Sequence, residues 1–189
     1  MKKLKIIPVA PIVILLLTFA FSGCSKNSDD PITVDGEYFM RFKTDGDAVA
    51  YTETSALSFD IPVRDPSYAY IISGGDGEAG FNLYISSTTP IEANKTYDEK
   101  IVFEDGPQAI LGSSLTVNDT IYSYKSAITT PNGAIYLSCI IKITEVSDTN
   151  IKGTFSGELR DAINVGNDTK IRITEGSFNS KRDFLGVDN

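Results

Sequence analysis

The chain is 189 residues long, carries 17 basic against 25 acidic side chains for a formal charge of −8, and contains neither histidine nor tryptophan. Without histidine it can build no Ser-His-Asp triad, no Cys–His dyad and no His-ligated metal centre of its own. An enzyme of this composition would have to work with carboxylates, Ser/Lys or tyrosine, and the acidic surface repels nucleic acid and anionic lipid headgroups, so neither is expected as a partner.

At the N-terminus Lys2, Lys3 and Lys5 form a basic head, and from Ile6 to Phe21 no charged residue appears. This is the arrangement of a secretory signal. The run of 16 residues is interrupted by Pro8 and Pro11, and falls short of the roughly 20 residues that a spanning helix needs. The small pair Ser22-Gly23 is followed at once by Cys24. Phe21-Ser22-Gly23-Cys24 resembles the lipobox of bacterial lipoproteins, with Phe21 where leucine is the common choice. The resemblance implies cleavage before Cys24, alkylation of its thiol by a diacylglyceryl group, and attachment to a membrane by acyl chains. The alternatives are an uncleaved anchor at 6–21 and a secreted protein with a free thiol at Cys24. Removal of residues 1–23 takes away three lysines and no acids, leaving a 166-residue chain of charge −11, long enough for one domain with a core of its own.

The polar run Ser25-Lys-Asn-Ser-Asp-Asp30 and Pro31 read as part of a tether over 24–34, because nothing in them can be buried. The run also resembles the acidic export tag of surface-exposed lipoproteins of the Bacteroidota, with Asn27-Ser28 set between the cysteine and the acids. The implied location is the outer membrane, lipid-anchored and surface-exposed, with a periplasm-facing protein as the alternative.

From residue 35 to 182 the pattern is of strands, followed by a short tail over 183–189. Strands are expected near 37–44, 48–54, 57–63 and 68–72. The glycine-rich Ser73 to Gly80 turn leads to another at 81–86, and a further one is expected at 100–104. Gln108 to Leu111 is expected to form a single turn. A strand over 119–127 meets the turn Thr130-Pro-Asn-Gly133, and Ile135, Leu137, Cys139, Ile141 and Ile143 then share one parity of a single strand. After the turn Ser147-Asp-Thr-Asn150, Ile151, Gly153, Phe155, Gly157 and Leu159 alternate with Lys152, Thr154, Ser156, Glu158 and Arg160, the mark of a strand with one buried face. Beyond a loop at 164–168, Ile171 and Ile173 continue the alternation. Phe178 falls on the wrong parity, and a bulge at Gly176 would turn it back into the core. No helical periodicity of 10 or more residues is present. The fold expected is all-β, first an antiparallel β-sandwich and second a lipocalin-like β-barrel.

Lys95-Thr-Tyr97, Tyr124 through Gly133, Ile141-Lys-Ile-Thr144, Gly153-Thr-Phe-Ser156 and Gly176-Ser-Phe-Asn179 together resemble a family of small Bacteroidota lipoproteins with a domain of unknown function. The likeness covers about residues 80–182, departs at Lys95 where the family pattern has glycine, and implies no catalytic residues.

Several side chains are candidates for chemistry. Thr44-Asp-Gly-Asp47 and Ser73 to Glu78 carry carboxylates at tight turns, but neither has the ligand spacing of a calcium loop, so solvated hairpin turns are expected and no metal. Tyr68 with Tyr70, and Tyr122 with Tyr124, are same-face pairs that could stack on a sugar ring or pack at the core. Asp119-Thr120-Ile121 resembles the O-glycosylation site of exported Bacteroidota proteins, which would modify Thr120. Cys139, in phase with its isoleucine neighbours, is expected as a small buried residue. The expectation is a non-enzymatic binding or interaction module with no cofactor and with a glycan or protein partner; the alternatives are a carboxylate-dependent glycan hydrolase and a barrel holding a small apolar ligand.

Overall fold

The computed structural model describes Ile32 and residues 36–60, 68–103, 106–117, 120–164, 166 and 168–184. Residues 1–31, Cys24 among them, and Asp119 lie outside the described residues. Residues 31–189 form one compact unit. Its strands are β1 Phe39–Thr44, β2 Asp47–Tyr51, β3 Glu53–Asp60, β4 Tyr68–Gly75, β5 Ala79–Ser87, β6 Thr96–Asp98, β7 Ile101–Phe103, β8 Gly106–Pro107, β9 Ala109–Val117, β10 Thr120–Lys125, β11 Ala127–Thr130, β12 Gly133–Tyr136, β13 Cys139–Val146, β14 Asn150–Asp161 and β15 Lys170–Phe184. Among the described residues there is no helix, and the protein is all-β.

Hydrogen bonding links eleven strands in the order β2-β1-β15-β3-β4-β5-β9-β10-β14-β13-β6, and β14 also pairs with β15. The path β15-β3-β4-β5-β9-β10-β14 therefore returns to β15. Closure works because the longest strands change partner along one edge. β15 gives Ile173 to Asn179 to β1 and Lys181 to Phe184 to β3, while β14 gives Ile151 to Gly157 to β13 and Arg160 to Asp161 to β10. The β15–β3 pairing is parallel; the others are antiparallel. Opposite walls also meet face to face. Phe81 of β5 meets Phe42 of β1 in a tilted contact at 4.5 Å and stacks on Phe155 of β14 at 5.3 Å between ring centroids, although neither strand is its hydrogen-bonded neighbour. Both a β-sandwich and a barrel-like fold describe this large mixed sheet.

The alternation read over β14 is reproduced, with Ile151, Gly153, Phe155, Gly157 and Leu159 all buried. Phe81, Leu83, Leu111, Ile141 and Ile143 are fully enclosed with them, each large apolar side chain contributing about 1.5–3 kcal/mol on leaving water. Cys139 is buried in the same cluster.

Three local expectations need correction, and a fourth is refined. Gln108 to Leu111 is not a turn: the Gln108 carbonyl accepts from Ser86 N at 2.8 Å and β9 begins at Ala109, so this stretch extends the β5 ladder. The strand expected across 135–143 is broken at Leu137-Ser138, where Leu137 N donates to the Ser126 carbonyl instead of to a ladder partner. β2 ends at Tyr51 and β3 starts at Glu53, so the boundary falls at Thr52, inside the stretch 48–54 expected as one strand. Phe178 is indeed buried, and a bulge does reverse its parity: Glu175 and Gly176 together oppose Phe42 on the β1 side, and Thr174 and Glu175 oppose Ser156 on the β14 side, so the bulge takes in Gly176 and is shared by both ladders at Glu175. Glu175, at φ 54°, takes the left-handed conformation, and Gly176 does not.

Candidate functional site

Strand directions sort the connections into two ends. Thr44 and Asp47, Gly75 and Ala79, Val117 and Thr120, and Asp161 and Lys170 bound the connections at one end, which forms a mouth. β1 starts at the opposite end, the base, where Phe39 pairs with Asn179 and the Asn179 amide donates to the Glu37 carbonyl at 2.6 Å.

Two of the mouth turns are built by aspartate and glycine. Asp45 and Gly46 both have positive φ, 49° and 99°, as a two-residue hairpin turn requires. Asp45 Oδ1 accepts from Arg172 N at 2.9 Å, which ties the turn to β15. In the other, Asp76 Oδ1 accepts from Ala79 N at 2.8 Å and from Glu78 N at 3.1 Å. Those backbone donors hold the Asp76 carboxyl below its usual range, so it is charged at neutral pH. Both acidic segments are thus hairpin turns with a carboxylate oxygen on backbone N–H groups.

Between these turns the mouth opens into a cavity of about 400 Å³. Phe42, Phe81, Leu159 and Ile173 make its floor, and Val49, Tyr124 and Ile171 its walls. Alternation explains why an apolar lining reaches solvent here: the inward rows of β1, β5, β14 and β15 run on past the point where the opposite walls touch. The polar groups are few. Among the lining side chains they are the Asp76 carboxylate, the phenols of Tyr51 and Tyr124 and the hydroxyls of Thr44, Ser113 and Ser114. Burial and the negative charge of Asp76 push the Tyr51 phenol up, so it stays protonated. No lysine or arginine is among the lining residues.

The four tyrosines singled out from the sequence are divided. Tyr70 is buried and its hydroxyl accepts from Ile91 N at 2.8 Å, and Tyr68 packs beside it at the core. Tyr124 forms part of the cavity wall. Tyr122 shares its face one step nearer the rim and is 42% exposed. Two strands, β5 and β9, separate the pairs, so they form no common platform. Thr120 opens β10. Burial pushes the Cys139 thiol up to about 12, far from the reactive range.

The sequence reading missed Val49, Tyr51, Ser113 and Ser114 as a group. β9 did carry a signal, since Ala109, Leu111, Leu115 and Val117 share one parity, but Gly112, Ser113 and Ser114 interrupt its apolar contrast. No family model matches the chain, and no curated protein and no solved structure matches it significantly.

Proposed function

We propose that this protein is a lipid-anchored, non-enzymatic binding protein of the outer membrane whose mouth takes up a small, mainly apolar ligand. The observation that carries the reading is the cavity of about 400 Å³ floored by Phe42, Phe81, Leu159 and Ile173. Concave sites of several hundred Å³ with an apolar lining and a few convergent polar groups are the usual form of a small-molecule site. Hydrolysis of a glycosidic bond by paired carboxylates receives no support from this cavity, because Asp76 is the single carboxylate among its lining residues. The lipobox-like segment at Cys24 supports the anchor. β1 begins at the base, the end of the sheet opposite the mouth.

Residues 31–189 hold the whole closed sheet and its core, so a soluble form beginning at Ser25 contains the entire unit. The neutral dye N-phenyl-1-naphthylamine should bind it with a rise in emission. Ala79→Phe, which fills the cavity from β5, should abolish that rise while thermal unfolding stays cooperative. No rise with the parent protein, or an unchanged rise with the filled variant, would remove the mouth from the account.

A further inference from the structure

The binding reading leaves the ligand's chemistry open, and the charges around the mouth narrow it to a class that depends on that reading. Among the described residues, four cations on strands that line the mouth are turned away from the cavity. Lys125, Arg160, Lys170 and Arg172 alternate along their strands with the inward-facing Tyr124, Leu159, Ile171 and Ile173, so they stand on the outer face. Two of them are also engaged there: Arg160 pairs with Asp168, and Lys170 Nζ lies 2.9 Å from Glu158 Oε2. On the other side of the balance, Asp45, Asp47, Asp76 and Glu78 sit in or beside the two turns that frame the opening.

At the rim itself, the exposed Asp76 spends Oδ1 on backbone donors, and among the described residues no side-chain hydrogen bond uses its Oδ2. Tyr51, close enough to feel the Asp76 charge, remains a neutral phenol. A ligand carboxylate or sulfonate entering here would leave water for a site with no cation and one fixed negative charge. A hydroxyl or ammonium group would instead find a charged acceptor, and charge-assisted hydrogen bonds of that kind are the stronger ones.

The apolar path extends beyond the cavity. Tyr124 pairs with Asp161, and Ala162 N donates to the Ser123 carbonyl at 2.8 Å, so the chain passes Tyr122 as it reaches Ile163. Tyr122 and Ile163 are 42% and 65% exposed, and they are two of the four large exposed apolar side chains among the described residues. Their position at the rim lets a ligand longer than the cavity keep apolar contact as it emerges.

We infer that the ligand is an amphiphile with an apolar body and a hydrogen-bond-donating, non-anionic head, the head lying at Asp76 and Tyr51 and the body along Phe42, Phe81 and Tyr124. Competition against N-phenyl-1-naphthylamine on the form beginning at Ser25 tests this with three probes of one chain length: decylamine, decanol and decanoate, each below its aggregation threshold. Decylamine should displace the dye best, decanol next, and decanoate about tenfold less well than decylamine at low salt, the sum of attraction and repulsion at one partly screened charge. Asp76→Asn keeps an oxygen for the Ala79 and Glu78 N–H groups but removes the charge, so it should bring decylamine down to the level of decanol and raise decanoate. Decanoate competing as well as decylamine would overturn the ligand class while leaving the site in place; absence of dye binding would overturn the site itself.

Discussion

Gly176 lies directly under the ring of Phe155, its partner across the β14–β15 ladder. A Cβ built on Gly176 would stand 2.7 Å from two ring carbons and closer still to the Phe155 carbonyl oxygen. The ring is fixed from the other side by Phe42 at 5.7 Å and Phe81 at 5.3 Å, so it cannot yield without disturbing the centre of the core. Gly176→Val should therefore lower stability by about 1–3 kcal/mol or more, as overpacking does. Lys152→Thr, on the outer face of the same sheet, should stay within about 0.5 kcal/mol. Denaturant midpoints compare the two, and equal midpoints would remove the close approach as the reason for glycine.

The residue that bends the strand is Glu175, and it makes a separate prediction. At φ 54° it occupies a conformation that β-branched side chains avoid. Glu175→Val should cost about 1–2 kcal/mol, whereas Glu175→Gly should be milder although both lose the 2.9 Å contact to Lys43 Nζ. That shared loss makes the pair a clean comparison in urea, and identical midpoints would show that the left-handed backbone carries no strain.

How far the sequence could be read depends on the range of each cause. β14 was legible because its alternation is local: five inward residues in a row need no partner to be recognised. The parity failure at Phe178 showed that a bulge had to exist, but its place depends on how Arg41 and Lys43 pair with Ser177 and Thr174 across 130 residues and more, which no local pattern reports. Leu137 is buried as its parity predicts, but its N–H turns to the Ser126 carbonyl and the strand breaks there, which the alternation alone does not report. The cavity was less legible still. Asp76 was visible as a turn residue, but its neighbours Tyr51, Ser113, Tyr124 and Ile171 come from four strands brought together only by closure of the sheet.

Alkaline pH should weaken the fold. Burial raises the Cys139 thiol from its ordinary 9.0 to about 12, and burial is also the main cause that raises the phenols of Tyr51 and Tyr97 above their ordinary 10.0. For each group the unfolded chain loses its proton first. Stability is thus fully present below pH 9 and falls as pH rises toward 12, with the thiol alone setting a slope approaching about 1.4 kcal/mol per pH unit above its unfolded value. Urea midpoints measured from pH 7.5 to 10.5 should be flat to near 9 and then decline, and Cys139→Ala should flatten the first part of that decline despite its own small packing loss. A parent profile with no decline below pH 10.5 would show the thiol to be solvated.

The anchor remains the prediction with the widest consequence. The basic head, the proline-interrupted apolar run, the small pair Ser22-Gly23 and the abrupt change to a polar segment all converge on Cys24 as the acylated first residue of the mature protein. Replacing Cys24 with serine removes the sulfur that would carry the diacylglyceryl group. Each buried CH₂ of an acyl chain contributes about 0.8 kcal/mol, and stable attachment takes more than one chain. The remaining domain offers no substitute, since its charge of −11 repels anionic headgroups. In the native host the parent protein should fractionate with membranes and incorporate labelled fatty acid, and Cys24→Ser should do neither. If the variant is still labelled and still sediments with membranes, the lipobox reading fails and an uncleaved anchor over 6–21 takes its place; the soluble form beginning at Ser25 would bind dye in either case, which keeps the test of the anchor independent of the test of the mouth.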